Sequence, residues 1–218
     1  MENRSEQELR LQQLRFIGKI IAGFTHEIKN HIAIIKESAG LIGDLIRFGK
    51  EESNNPLQYL EIITSVEDQI VKTLDLFKYL NRFAHRMDTP HTAFNVNENL
   101  EELIALLDRF AHQRKISFEK DFQDDVPSLI NDPALFQFLV FCFVEEKLTR
   151  LDKNSSLILK TALLNKVISV SIIAKGDYIE PDKELSSYEM HDYVIKQLGG
   201  NLVRGEKETV ITLPVLMT

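Results

Sequence analysis

Cysteine is nearly missing from this chain: Cys142 stands alone among 218 residues. A disulfide framework within the chain is therefore excluded, and a reducing compartment is favoured. No apolar stretch approaches the roughly 18 residues that a membrane-crossing helix needs. The start, Met1-Glu-Asn-Arg-Ser-Glu-Gln-Glu8, is too polar for the apolar core of a signal peptide. These absences predict a cytoplasmic protein without a membrane segment, one that receives any sensory input through a partner. Clustered positive charge is lacking too. The formal net charge is −7 and no basic run exceeds two residues, so a nucleic-acid face is not expected, because phosphate binding needs grouped Lys and Arg. Gly-x-Ser-x-Gly, a Walker loop and zinc-ligand spacing are absent, as are internal repeats and low-complexity tracts.

What the sequence does contain is long helical periodicity. Ser5-x-x-Glu8 reads as a capping box. From Leu14, apolar residues recur at helical spacing through Ile17, Ile21, Phe24, Ile28, Ile35, Ile42 and Ile46, without proline. A helix over about 5–48 would be roughly 65 Å long, more than a small globular core covers. The polar segment 49–56, ending at Pro56, reverses the chain. A second seam follows at Leu60, Ile63, Val66, Ile70, Leu74, Phe77 and Leu80. A hairpin with one apolar seam per helix buries little by itself, so two copies pairing into a four-helix bundle, a homodimer, are expected.

Residues 1–88 are thus assigned to a helical hairpin, 89–97 to a linker, and 98–218 to a second domain. That domain opens with a helix at about 98–112 and a strand at 116–122. Asp132-Pro133 starts a helix to about 149, with Asp as cap and Pro at the first position. Its Phe-rich stretch 136–143 is expected to be core. Strands follow at 157–163 and 166–174, then a helix from Ser186-x-x-Glu189 to Gly199-Gly200, then strands at 201–204 and 208–213. Helices interleaved with antiparallel strands predict an α+β sandwich.

The chemistry-bearing segment is Phe24-Thr-His26-Glu27-Ile28-Lys29-Asn30. With Ile17 at zero and about 100° per residue, the seam residues fall within about 40° of zero and His26 at about 180°. The imidazole is therefore expected in solvent, with Lys19, Ala22, Lys29, Asn30 and Ala33 near it. Small alanines leave room for a protein partner. Imidazole is neutral and nucleophilic near pH 7. Glu27 can orient the ring or accept its proton, Asn30 can hold a water or phosphoryl oxygen, and Lys29 can neutralise incoming charge. Taken alone, an exposed His-Glu pair is ordinarily a solvated surface. His85, His91, His112 and His191 show no ligand spacing and are expected at the surface or in the linker, whereas His31 should line the bundle. Asp121, Asp124 and Asp125 read as a solvated cluster.

The segment from Phe16 to Ile35, with Ala22-Gly23 and His26-Glu-Ile-Lys-Asn30, resembles the phosphoacceptor box of two-component sensor histidine kinases. His31 stands where that family usually has proline. The second half resembles the family's ATP-binding domain at Asp132-Pro-Ala-Leu135, at Val194-Ile-Lys-Gln-Leu-Gly-Gly-Asn-Leu202 and at Val210-Ile-Thr-Leu-Pro214. It departs from that family where nucleotide would bind. Cys142 and Glu146 stand at the asparagine positions, Ala174-Lys-Gly-Asp-Tyr178 replaces the Asp-x-Gly-x-Gly loop, and the lid and Gly-x-Gly start are missing.

The resemblance implies a dimeric histidine phosphotransferase with a degenerate ATPase-like domain. His26 would be the phosphoacceptor, assisted by Glu27 and Asn30, with Lys19, Ala22, Lys29 and Ala33 as docking positions. Response-regulator receiver domains, carrying their own Mg²⁺, would be the partners, and no ATP or metal would be held by this chain. The alternatives are a divergent histidine kinase, a response-regulator phosphatase using Glu27-x-x-Asn30, and a non-catalytic dimeric pseudokinase scaffold.

Overall fold

The structure is a computed structural model that describes residues 4–48, 56–178 and 188–215. Two long helices lead: α1 (Arg4–Phe48) and α2 (Pro56–His85). At 45 residues, α1 spans about 68 Å and runs uninterrupted past His31. The reversal expected at 49–56 lies outside the described residues except for Pro56. Among the described residues, no helix is long and apolar enough to cross a membrane.

The stretch expected as a linker is partly ordered into the second domain. Strand β1 (Thr92–Phe94) pairs antiparallel with β3 (Leu129–Asn131). Helix α3 (Val96–Gln113) then begins ahead of its expected start, because the Asn95 side chain accepts from the Glu98 backbone N–H and caps it. Two three-residue strands are too short to leave a periodic signature. The other elements follow the reading closely: β2 (Ser117–Phe122), α4 (Pro133–Arg150), β4 (Ser156–Leu164), β5 (Val167–Lys175), α5 (Tyr188–Gln197), β6 (Asn201–Arg204) and β7 (Glu208–Pro214). Asp132 caps α4 by accepting from the Leu135 N–H at 2.8 Å, with Pro133 in the first turn. The cap expected at Ser186 for α5 lies outside the described residues.

The sheet order is β2-β4-β5-β7-β6, with β2 parallel to β4 and the other pairs antiparallel. Along β5 the alternate residues Ile168, Val170, Ile172 and Ala174 are buried, so one sheet face carries the helices. Helix α4 is apolar nearly all round, which suits a helix covered on every side. Phe136, Phe138 and Phe143 are fully buried in it, as the Phe-rich reading anticipated.

The hairpin and the sheet domain share one core. Phe16 of α1 stacks against Phe83 of α2 and Phe138 and Phe141 of α4, at ring-centroid distances of 5.3, 5.9 and 4.4 Å. Leu9, Ile20 and Gly23 are buried on the same stripe of α1. On the angular scale used above, that stripe lies near −90°, a quarter turn from the expected seam. Periodicity located an apolar face correctly but not its cover. The 0° face looks toward α2, while the −90° stripe is taken by the chain's own second domain.

The α2 seam is largely uncovered in the single chain. Leu60, Ile63, Ile70, Leu74 and Phe77 are all exposed, as are Leu14, Ile21 and Ile32 of α1. An apolar surface of this extent marks an interaction site.

Candidate functional site

His26 lies on α1, and its side chain is 48% exposed. It opens into a groove of about 600 Å³ between α1, α2 and α3, lined also by Glu27, Asn30, Lys72, Asp75, Asp108 and Arg109. The ring therefore faces solvent, as the helical wheel predicts, but α3 forms a wall beside it. That wall is a consequence of the quarter-turn shift in the buried stripe of α1.

Helical spacing brings three of the expected residues together. Asn30, one turn beyond His26, donates from Nδ2 to His26 Nδ1 at 3.1 Å. The same Nδ2 lies 3.5 Å from Glu27 Oε1, which in turn is 3.9 Å from His26 Nδ1. Among the described residues Nε2 has no protein partner. While Nδ1 accepts from an amide N–H, the neutral ring carries its proton on Nε2 and cannot use that nitrogen as a nucleophile. If the amide turned over or Glu27 moved closer, an acceptor would meet Nδ1. The proton would then sit on Nδ1, and the Nε2 lone pair would be free.

The remaining expected residues divide. Ala22, Lys29 and Ala33 are exposed, as a docking face requires. Lys19 is turned inward instead. Its ammonium pairs with Glu145 and sits 5.0 Å from the centroid of the Phe110 ring, so it ties α1 to the second domain. The shifted stripe of α1 accounts for this, since Lys19 lies at its margin.

Arg109 is a site residue that the sequence did not reveal. Its Nε lies 3.5 Å from Glu27 Oε1, with the side chain 15% exposed. The approach of α3 depends on Gly23, where a Cβ would come 2.8 Å from Phe110 Cε2. The absent side chain lets the two helices close up one turn before Glu27.

Other histidines were partly misplaced by sequence reasoning. His85 pairs with Asp88 at 2.8 Å and His112 with Asp108 at 3.2 Å, both at the surface. His31 lines the hairpin as expected, its Nδ1 donating to Gln69 Oε1 at 2.6 Å. His191, expected at the surface or in the linker, is 1% exposed and packs on the Phe143 ring at 4.6 Å. Neither of its ring nitrogens hydrogen-bonds. Burial, reinforced by Arg204, lowers its pKa to about 4.

The unfolded chain therefore takes up this proton first as pH falls, so stability is lost progressively from about pH 6.5 to about pH 4. At about 1.4 kcal/mol per pH unit, the loss attributable to His191 approaches 3 kcal/mol. Denaturant titrations at pH 7, 5 and 4 should show this fall. His191→Leu should flatten it, and an unchanged slope in that variant would refute the assignment.

At the positions where the resemblance placed nucleotide-binding asparagines, the side chains are otherwise engaged. Cys142 is buried, which pushes its thiol pKa far up and makes it inert. Glu146 accepts from Arg150 Nη1 at 3.1 Å, and the Arg150 guanidinium lies over the Tyr178 ring at 5.5 Å. Among the described residues a cleft of about 270 Å³ lies here, lined by Phe143, Glu146, Arg150, Tyr188 and Arg204. Residues 179–187, where the lid was read as missing, lie outside the described residues. Among the described residues no His, Cys, Asp and Glu cluster is placed to hold a metal ion.

No protein-family model and no curated protein sequence matches this chain. Solved structures do match it. Histidine kinase ThkA in complex with the response regulator protein TrrA aligns over 99% of this chain and 68% of its own, at 16% identity and a TM-score of 0.50. The nucleotide-free catalytic domain of ThkA aligns over 58% of this chain and 96% of its own, at 15% identity and a TM-score of 0.50. Full-length ShkA in complex with AMPPNP aligns over 75% of this chain and 40% of its own, at 14% identity and a TM-score of 0.51. At such identities the likeness is one of fold. The chain has the α+β architecture of histidine kinase catalytic regions, long N-terminal helices followed by a mixed-sheet, ATPase-like domain.

Proposed function

We propose that this protein is a histidine phosphotransferase of a two-component phosphorelay, moving phosphoryl groups between receiver-domain aspartates through His26. The observation that carries the reading is a half-exposed imidazole in an open groove, with Nδ1 next to Asn30 and Glu27 and Nε2 without a partner among the described residues. Once the ring proton sits on Nδ1, facing Glu27, Nε2 attacks the phosphorus of a receiver's aspartyl phosphate. The bond from phosphorus to the aspartate oxygen breaks, its electron pair leaves with the carboxylate, and the Nδ1 proton passes to Glu27. Mg²⁺ held by the receiver would neutralise charge on the phosphoryl oxygens. Reversal onto a second receiver completes the relay. Ala22, Lys29 and Ala33 supply the docking face, and Lys19 drops out of it because Glu145 holds it.

ATP has no part in this scheme. Glu146 paired with Arg150, and a buried Cys142, do not fit a nucleotide with its metal, which call for amide ligands at those positions. The test is to present ³²P-phosphorylated receivers to the protein and look for acid-labile, base-stable label on it. Loss of receiver phosphate without such label would favour a phosphatase, with Glu27 and Asn30 positioning water. Label from ATP would favour a kinase. Binding without either reaction would leave a scaffold.

The relay reading includes a homodimer joined through the uncovered faces of α1 and α2. Burying Ile63, Ile70, Leu74 and Phe77 against their symmetry mates supplies the apolar area that one chain leaves in water. Ile70→Glu with Leu74→Glu places like charges across the two-fold axis and is expected to give a folded monomer. Sedimentation equilibrium decides the matter, and an unchanged mass for that variant would remove this interface.

A further inference from the structure

Three side-chain nitrogens lie near one oxygen of Glu27. Its Oε1 lies 3.5 Å from Arg109 Nε, 3.5 Å from Asn30 Nδ2 and 3.9 Å from His26 Nδ1. Of the three, only Arg109 carries a permanent charge, and it comes from the second domain. Asn95 caps its helix, and Glu102 of α3 takes a bidentate pair from Arg86, just past the end of α2. Arg109 follows Asp108 and precedes Phe110, the ring against which Gly23 of α1 closes. The ion pair thus forms only while α3 lies against α1.

We infer that Arg109 is a positioning residue that draws Glu27 off His26 Nδ1, so that the docked second domain keeps the histidine in its unreactive tautomer. The argument is one of competition. A carboxylate paired with a guanidinium is a weaker acceptor for an imidazole N–H, because its charge is partly compensated. Nδ1 is left to the Asn30 amide donor, the proton stays on Nε2, and the nucleophile is masked. Withdrawal of α3 releases Glu27, which then accepts from Nδ1 and exposes the Nε2 lone pair. A receiver entering the groove must press on the same wall, where Asp108 and His112 also face it. Docking and activation are thereby coupled. This coupling adds regulation to the phosphotransfer reading and rests on it for its biological consequence, though the effect on the ring is separable.

The experiment uses the full chain and a receiver-independent phosphodonor, phosphoramidate. Attack by Nε2 on its phosphorus breaks the P–N bond, ammonia leaves with the electron pair, and the Nδ1 proton goes to Glu27. Imidazole ¹⁵N NMR reports the His26 tautomer directly. Arg109→Gln, close in size and still able to pack, should shift the ring toward the Nδ1–H form. It should also speed labelling of His26 about tenfold, a part of what a positioned base contributes. Arg109→Lys should behave as the parent, and adding Glu27→Gln to Arg109→Gln should cancel both changes. An unmoved tautomer in Arg109→Gln, or slower labelling, overturns the inference. A shifted tautomer and faster labelling in a protein that takes no phosphate from any receiver would uphold the positioning role and instead defeat the relay reading.

Discussion

His26→Ala is expected to abolish acid-labile labelling from phosphorylated receivers while leaving fold and receiver binding intact. A missing nucleophile has no substitute nearby, and removal of such a residue costs on the order of a thousandfold or more. Among the described residues the other imidazoles in the groove cannot take over: His31 is bonded to Gln69, and His112 stands across it on α3, paired with Asp108. Glu27→Gln should be milder, about a hundredfold, because the ring keeps its nucleophilic nitrogen and loses only its proton acceptor. Phosphopeptide analysis locates the label. Persistent labelling of His26→Ala at the parental rate would assign the phosphoryl group to another residue. Because His26 is half exposed and its side chain hydrogen-bonds to Asn30 at the surface, its truncation should scarcely alter stability.

Arg86→Ala is expected to be strongly destabilising, at about 3–5 kcal/mol. Glu102 is fully buried on α3, and its carboxylate receives two hydrogen bonds from Arg86, at 2.7 and 2.8 Å, with Arg82 Nη1 at 3.6 Å. Removing Arg86 strands a charge in the core, with only the more exposed Arg82 to compensate. The pair also joins the end of the hairpin to the first helix of the second domain, so its loss should loosen α3 and, with it, the wall beside His26. Replacing both partners, Arg86→Met with Glu102→Leu, should recover most of the stability, since a buried pair is often no better than a packed apolar couple. Urea denaturation distinguishes these outcomes. A double variant as unstable as Arg86→Ala alone would mean that the ion pair itself, rather than avoidance of an orphaned charge, holds the joint.

The histidine box shows why local chemistry is readable without coordinates. His26, Glu27 and Asn30 lie within one helical turn, so the helix alone brings them together, and helix was evident from a long uninterrupted period. The Asp132-Pro133 start of α4 and the alternation in β4 and β5 are local in the same sense. Arg109 is different. It meets Glu27 only because Gly23 admits Phe110 and so brings α3 against α1, a contact between distant segments that leaves no mark on neighbouring residues. His191 misled for a related reason. Its sequence neighbours Met190 and Asp192 are one apolar and one charged, and only the packing of α5 against α4 shows that the ring meets Phe143.

The sequence by itself determined the longer helices and strands, though not the three-residue strands β1 and β3, that the first half is a hairpin with more apolar surface than one chain can bury, and that His26 faces away from the hairpin seam. These follow from period, caps and turns, all short-range properties of the backbone. Tertiary structure alone decided which stripe of α1 the second domain covers, hence that Lys19 turns inward, that α3 walls the groove and that Arg109 reaches Glu27. An amphipathic pattern states that a face must leave water; only the assembled chain states what covers it.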